Sequence, residues 1–106
     1  MTQVNIKKMA DLIKDHFNPL DIFKVNETAV KLVKIKGKYH WHKHNNQDEL
    51  FIVVDGQLTI NFEDGKVVLN EWEGYVVKRG LMHQSFAENE ALILMIEHQE
   101  TVDTGD

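Results

Sequence analysis

Short apolar runs follow one another along most of the chain, and this series constrains the fold more than any other feature. The runs recur at a spacing of about ten residues, and turn-forming residues lie between them. No helical pattern separates them, so a parallel sheet, which needs crossover helices, is disfavoured. The series predicts an all-β fold, an antiparallel sandwich or barrel of about six to eight strands. The predicted strands cover residues 21–25, 29–35, 49–54, 58–62, 66–70, 75–77, 83–87 and 91–97.

Polar or glycine-containing segments separate these runs. The pairs Asp55-Gly56 and Asp64-Gly65 are predicted to form hairpin turns, because glycine accepts the positive φ that tight turns need. The polar segment 88–90 is predicted to separate the last two strands.

The N-terminal segment has apolar residues at helical spacing instead. We predict an amphipathic helix over residues 1–18, ended by Pro19, because proline disfavours a helical conformation in the residue before it. Its mixed charges favour packing on the sheet over binding a membrane surface. We predict one domain over residues 1–106, with the helix at 1–18, the barrel at 20–100 and a tail at 101–106. The apolar residues of the helical pattern are Ile6, Met9, Ala10, Ile13 and Phe17.

Composition excludes several kinds of chemistry and of partner. The chain has no cysteine, so disulfides, thiolate metal sites and thiol nucleophiles are excluded. Twelve Lys and Arg against 17 Asp and Glu give a formal charge of −5, which with no basic stripe disfavours nucleic acid. No stretch approaches the roughly 20 apolar residues of a membrane span. We expect a cytoplasmic protein with neither a membrane nor a nucleic-acid partner.

Three histidines, His40, His42 and His44, alternate within five positions. In an extended segment they would point to one face, either as solvated side chains or as ligands. Imidazoles two residues apart can bind one ion, and Glu49 and the distant His83 can supply further ligands. This donor set suits Zn, Fe, Mn, Ni or Cu, with no sulfur ligand to demand a softer metal.

The spacing of these residues resembles the cupin superfamily. From its first histidine, the first cupin motif reads His-x-His, three or four residues, Glu, six residues and Gly. His42, His44, Glu49 and Gly56 match that pattern. The resemblance implies a small, single-domain, jelly-roll β-barrel, and it extends over almost the whole chain.

The second cupin motif is matched less fully. Its glycine and its histidine, which are separated by two residues, correspond to Gly80 and His83. All four cupin ligand positions are therefore filled. The resemblance therefore implies a metal site of His42, His44, Glu49 and His83 that holds Fe, Mn, Ni or Zn. Lysine replaces the motif's proline and loosens the turn before His83. The residues that depart from the two motifs are Lys36, Trp72, Lys78 and Ala87.

Two functions remain open at this point. The resemblance implies a metal-dependent enzyme of the oxygenase or isomerase type acting on a small organic molecule, with no catalytic residue assigned. The alternative is a metal- or small-ligand-binding module without turnover, since cupins of both kinds exist. We also expect a homodimer, because an aromatic face at Tyr39 and Trp41 needs cover.

The remaining polar and aromatic residues have structural interpretations. His40 is expected near the cavity rim, one step outside the ligand set, and Trp41 in the core or an interface. His16, Asp48, Glu97 and His98 are expected at the surface. Core or cavity-wall positions are predicted for Phe51, Val53, Met82, Ile93 and Met95.

Overall fold

Residues 3–106 form one short helix and seven antiparallel strands. A computed structural model describes residues 3–106. The all-β prediction is confirmed, and the number of strands lies within the predicted range. The elements are α1 (Ile6–Ala10), β1 (Leu20–Val25), β2 (Thr28–Lys38), β3 (Glu49–Asp55), β4 (Leu58–Phe62), β5 (Gly65–Leu69), β6 (Gly74–Val77) and β7 (His83–His98).

The long strand β7 organises the sheet. The strand order is β1-β2-β7-β3-β6, and β4 pairs with both β7 and β5. Residues 83–86 of β7 pair with β4, whereas residues 92–97 pair with β3. Among the described residues, β1, β5 and β6 each pair with one strand only, so hydrogen bonds do not close the sheet into a full barrel.

The predicted break at residues 88–90 is wrong, because β7 continues through it. Ile35 pairs with Ala91 and Gly37 pairs with Ala87, so residues 88–90 are accommodated by a shift of register against β2. Extra residues of this kind bend a strand and increase its twist. The bend lets the two halves of β7 reach different neighbours.

One of the two predicted hairpin turns is present. Glu63 and Asp64 connect β4 to β5, with Phe62 paired to Gly65. The turn at Gly56 joins β3 to β4, but these strands both pair with β7 and not with each other. Gly56 has φ +90°, and a Cβ there would lie 3.1 Å from the Cα of Ala91. Glycine is therefore needed at position 56 because the backbone passes close to Ala91, and not because a hairpin turns there.

The predicted helix over residues 1–18 is much shorter in the structure. Helix α1 spans Ile6–Ala10, and Asn5 caps it by accepting a hydrogen bond from the backbone N–H of Lys8. Residues 1 and 2 lie outside the described part. Phe17 has φ +59° and donates its backbone N–H to the carbonyl of Lys34 at 2.9 Å. This docking to β2 requires a conformation that a continuing helix excludes.

Two apolar clusters lie on opposite faces of the sheet, because side chains alternate along each strand. In β7, Ile93 and Met95 face the inner cluster, whereas Leu92 and Leu94 face the outer one. The outer cluster includes Ala10 and Ile13, so the N-terminal segment covers the sheet as predicted. No helix within residues 3–106 is long and apolar enough to cross a membrane. Of the predicted core residues, Phe51, Val53, Ile93 and Met95 are buried, and Met82 is half-buried.

Candidate metal centre

The four predicted ligand residues come together at one end of the inner face. Glu49 begins β3, His83 begins β7, and His42 and His44 lie on the segment between β2 and β3. One potential ligand atom from each residue lies within 4.8 Å of the others, and all four side chains are buried. Glu49 Oε1 is 3.6 Å from His44 Nε2 and 3.7 Å from His83 Nε2.

Backbone hydrogen bonds hold the histidine segment in place. His42 and His83 exchange N–H to carbonyl bonds of 3.0 and 2.9 Å, which form one isolated bridge and not a strand. The N–H of Gly80 donates to the carbonyl of His44 at 2.7 Å, so the turn with Lys78 in place of proline still brings His83 to the cluster. His40 is exposed and lies outside the group of four.

Hydrogen bonds at Nδ1 set the orientation of all three buried imidazoles. His42 Nδ1 contacts the carbonyl of His40 at 3.1 Å, and His83 Nδ1 contacts the carbonyl of Leu81 at 2.8 Å. A carbonyl oxygen only accepts, so each of these nitrogens is the donor. His44 Nδ1 lies 3.1 Å from Oδ1 of Asp106, which also accepts. Each ring therefore presents the lone pair of Nε2 to the cluster.

Three of the converging atoms have no hydrogen-bond partner within residues 3–106. They are His44 Nε2, Glu49 Oε1 and His83 Nε2, and all three are buried. Buried polar atoms without partners are costly and rare in native proteins. Ligand atoms at about 2.0–2.2 Å from one ion lie within roughly 4.4 Å of each other, so small side-chain movements suffice to bind one. Nitrogen and carboxylate donors together fit a divalent transition metal.

The pKa values of two cluster residues favour the protonation states that bind a metal. Burial lowers the pKa of His42 to about 4, so this imidazole is neutral at physiological pH. Burial alone would raise the pKa of Glu49, but the adjacent His83, Glu97 and His44 outweigh it, and the pKa is lowered. The cluster thus combines a carboxylate with a neutral imidazole.

The prediction that Glu97 is a surface charge is wrong. Glu97 is 3% exposed, and it lies opposite Glu49 in the register of β3 and β7. Lys31 Nζ is 3.2 Å from Glu97 Oε1. The alternation of side chains along the strand could have predicted this burial. Glu97 follows Ile93 and Met95 at intervals of two residues, so it lies on the same inner face.

The other polar predictions have mixed outcomes. Asp48 is exposed and accepts a hydrogen bond from the N–H of Arg79. His16 is exposed and contacts Glu90 at 2.8 Å, whereas His98 is half-buried. Trp41 is 45% exposed, so its prediction as a core residue is wrong, and the interface remains a prediction.

A small cavity of about 40 Å³ adjoins the cluster, with His42 and Glu49 in its lining. Tyr39 also lines it and stacks on Phe17, with ring centroids 5.1 Å apart. Tyr39 therefore contacts the N-terminal segment, and its side chain lies on the cavity side. The remaining lining residues are Pro19, Val33, Ile35, Phe51, Ser85, Met95 and Asp103.

An antiparallel sheet with a buried His/His/Glu/His cluster is the arrangement that the cupin resemblance implied. The family model described as cupin domain matches residues 31–97. The chain therefore belongs to the cupin family. It is also 32% identical over 97 residues to the uncharacterized protein YdbB of Bacillus subtilis strain 168, covering 91% of this chain and 86% of that one.

Two solved structures resemble the chain along most of its length. A cupin-2 domain protein of Shewanella frigidimarina NCIMB 400 is 37% identical, with a TM-score of 0.88 over 90% of this chain and 93% of that one. Hydroquinone 1,2-dioxygenase of Sphingomonas sp. TTNP3, solved with 4-hydroxybenzoate bound, is 15% identical. Its TM-score is 0.78 over 96% of this chain and 77% of that one, a likeness that shows the fold alone.

Proposed function

We propose that the protein is a metal-dependent enzyme, of the oxygenase or isomerase type, acting on a small organic molecule. The ligands of the metal are His42, His44, Glu49 and His83, and the metal is Fe, Mn, Ni or Zn. The observation that carries the proposal is the convergence of three buried, unpartnered ligand atoms beside a cavity. Protein ligands of this number leave room for substrate on a five- or six-coordinate ion.

The side chains around the cluster have separate tasks in such an enzyme. A bound metal would supply Lewis-acid chemistry or, if it is iron, oxygen chemistry. The Nδ1 hydrogen bonds hold the imidazole rings so that Nε2 would be free to bind the ion. Apolar side chains such as Val33, Phe51 and Met95 form the cavity wall and exclude water from the reacting groups.

The cavity wall favours one chemical class of substrate. Among the described lining residues there is no lysine or arginine to pair with a substrate carboxylate or phosphate. A substrate carboxylate would therefore lose its hydration among mainly apolar side chains without a partner for its charge. We infer a small, uncharged, flat molecule whose oxygen atom faces the metal ligands.

A binding module without turnover is the second candidate, and the size of the cavity favours it. A dry cavity of about 150 Å³ accommodates benzene, whereas this one has about 40 Å³. An aromatic substrate therefore needs the rim at Phe17 and Tyr39 to move. A site whose rim stays closed would hold a metal and take no substrate.

Metal loading followed by an activity screen tests the proposal. The purified protein is loaded separately with Fe(II), Mn(II), Ni(II) and Zn(II), and its metal content is measured by elemental analysis. The proposal expects about one ion per chain, and oxygen uptake or substrate isomerisation in a screen of phenols and enols. One ion per chain without turnover would favour the binding module, and no bound ion would contradict both functions.

A further inference from the structure

We propose that residues 103–106 belong to the metal centre, where they position two of its four ligands. They orient His44 directly, and they support Glu49 through Lys31 and Glu97. This inference rests on the proposed metal site and adds to it a set of positioning residues that do not touch the ion.

The first connection is from Asp106 to the segment that carries His44. Asp106 Oδ1 accepts a hydrogen bond from His44 Nδ1 at 3.1 Å. The backbone N–H of Asp106 donates to the carbonyl of Lys43 at 3.1 Å, and the side-chain amide of Asn45 donates to the carbonyl of Asp106 at 3.0 Å. Asp106 is thus held by the residue on each side of His44. This clamp fixes the ring, and the unpartnered Nε2 faces Glu49.

Gly105 and Thr104 bring this segment close to the other histidines. A Cβ on Gly105 would lie 3.0 Å from the Cβ of His42 and 3.2 Å from the carbonyl of Lys43, and Gly105 has φ +110°. Only glycine fits such a contact in such a conformation. The carbonyl of Thr104 accepts a hydrogen bond from His40 Nε2 at 2.9 Å. His40 therefore anchors residues 103–106 instead of contributing a ligand.

The second connection is from Asp103 to Glu49. Asp103 Oδ1 is 3.2 Å from Lys31 Nζ, and the same nitrogen is 3.2 Å from Glu97 Oε1. The Lys31 side chain is 11% exposed, so its ammonium group depends on the Asp103 carboxylate for compensation of its charge, and Glu97 offers it a second oxygen. Glu97 in turn lies opposite Glu49. Lys31 thus connects residues 103–106 to Glu97, the residue opposite the only acidic member of the group of four.

A carboxylate that accepts from the distal nitrogen of a ligand histidine fixes the ring and raises its basicity. Loss of such a partner typically weakens metal binding by about 10- to 100-fold. A residue that only fills space would not have this effect, and it would not depend on a hydrogen-bond acceptor. Asp106 can therefore be tested by comparing variants that keep or remove the acceptor.

The test measures Zn(II) affinity by chelator competition in wild type, Asp106→Ala and Asp106→Asn. Asparagine retains an oxygen that accepts from His44 Nδ1, so we expect near wild-type affinity for it and a 10- to 100-fold loss for alanine. Asp11→Ala is the control, because this exposed carboxylate follows α1 on the outer face. Circular dichroism of each metal-free variant establishes that it folds. Equal affinities for wild type and both Asp106 variants would overturn the proposal.

A second measurement separates this inference from the metal site itself. Nitrogen NMR of the metal-free protein reports which nitrogen of His44 carries the proton. We expect Nδ1–H in wild type and Asp106→Asn, and a mixture of tautomers in Asp106→Ala. If wild type binds no metal but shows this dependence, the proposed function fails and the positioning role stands. If the tautomer is the same in all three proteins, the positioning role fails, whether or not a metal binds.

Discussion

Glu49 and Glu97 lie directly opposite each other on β3 and β7, with both side chains buried. Burial raises the pKa of Glu97 to about 9, and the neighbouring Glu49 carboxylate adds to this rise. The pKa of Glu49 is lowered by the imidazoles and by Glu97 itself, despite its burial. Near neutral pH the pair therefore holds one proton, on Glu97, and one negative charge, on the residue that faces the histidines.

The pH dependence of stability follows from Glu97. Its folded-state pKa of about 9 lies above the ordinary value of 4.5, so its contribution to stability is fully present below pH 4.5 and is lost as pH rises towards 9. Glu97→Gln keeps the uncharged form at every pH. We expect the free energy of unfolding of the metal-free variant, relative to that of wild type, to increase by roughly 1–4 kcal/mol as the pH rises from 5 to 8.5. Urea unfolding with a chelator present measures this difference, and parallel pH profiles would contradict it.

Acid should weaken metal binding, because protons compete with the metal for imidazole nitrogen. An unperturbed imidazole has a pKa of about 6.5, whereas burial lowers that of His42 to about 4. His42 therefore stays available in mild acid, and we expect Zn(II) affinity to fall gradually between about pH 7 and pH 4. Competition titrations at several pH values measure this. An affinity that is the same at pH 8 and pH 4 would argue against a site with three histidines.

Single substitutions should show that the group of four residues is needed for metal binding and that His40 is not. We expect alanine at His42, His44 or His83 to abolish Zn(II) binding or to weaken it strongly, because each imidazole supplies one bond to the ion. Glu49→Gln should weaken binding by an amount that differs between metals, since it removes the charge and keeps the shape. His40→Ala should keep one ion per chain with an affinity lowered at most about 100-fold, because His40 anchors residues 103–106 and supplies no ligand. Loss of metal in His40→Ala with retention in His44→Ala would show that a different pair of histidines binds.

The substrate class can be tested with a pair of molecules that differ in one carboxylate. Catechol and 3,4-dihydroxybenzoate share the ring and both hydroxyl groups. A carboxylate would lose its hydration in this mainly apolar cavity, whose described lining has no lysine or arginine to pair with it. We therefore expect Zn(II)-loaded protein to bind catechol about tenfold or more tightly. Calorimetry measures both affinities, and metal analysis afterwards checks that neither compound has removed the ion. Tighter binding of the acid would contradict the inferred class.

Local patterns in the sequence predicted most of the sheet, and the cupin resemblance predicted the four residues that the structure brings together. Alternation and turn residues act over a few positions, and the spacing from His42 to Glu49 lies within one connection. The length of the helix was not predictable in this way, because α1 ends at Ala10 and the distant contact of Phe17 with Lys34 keeps the predicted helix from reaching residue 18. Asp106 was missed because it is 62 positions from His44, and no local pattern joins them.

The homodimer remains a prediction, and exposed aromatic residues now indicate where to test it. Trp72 is 69% exposed beside β6, which pairs with β3 alone among the described strands, and Trp41 is 45% exposed. Exposed apolar groups on an unpaired strand edge favour association with a second copy. We expect a dimer by light scattering at micromolar concentration, and a weaker one in Trp41→Ser or Trp72→Asn. Asparagine is chosen because residue 72 has φ +63°, which asparagine tolerates. A monomeric wild type would contradict the prediction, and a dimer unaffected by both substitutions would place the interface elsewhere.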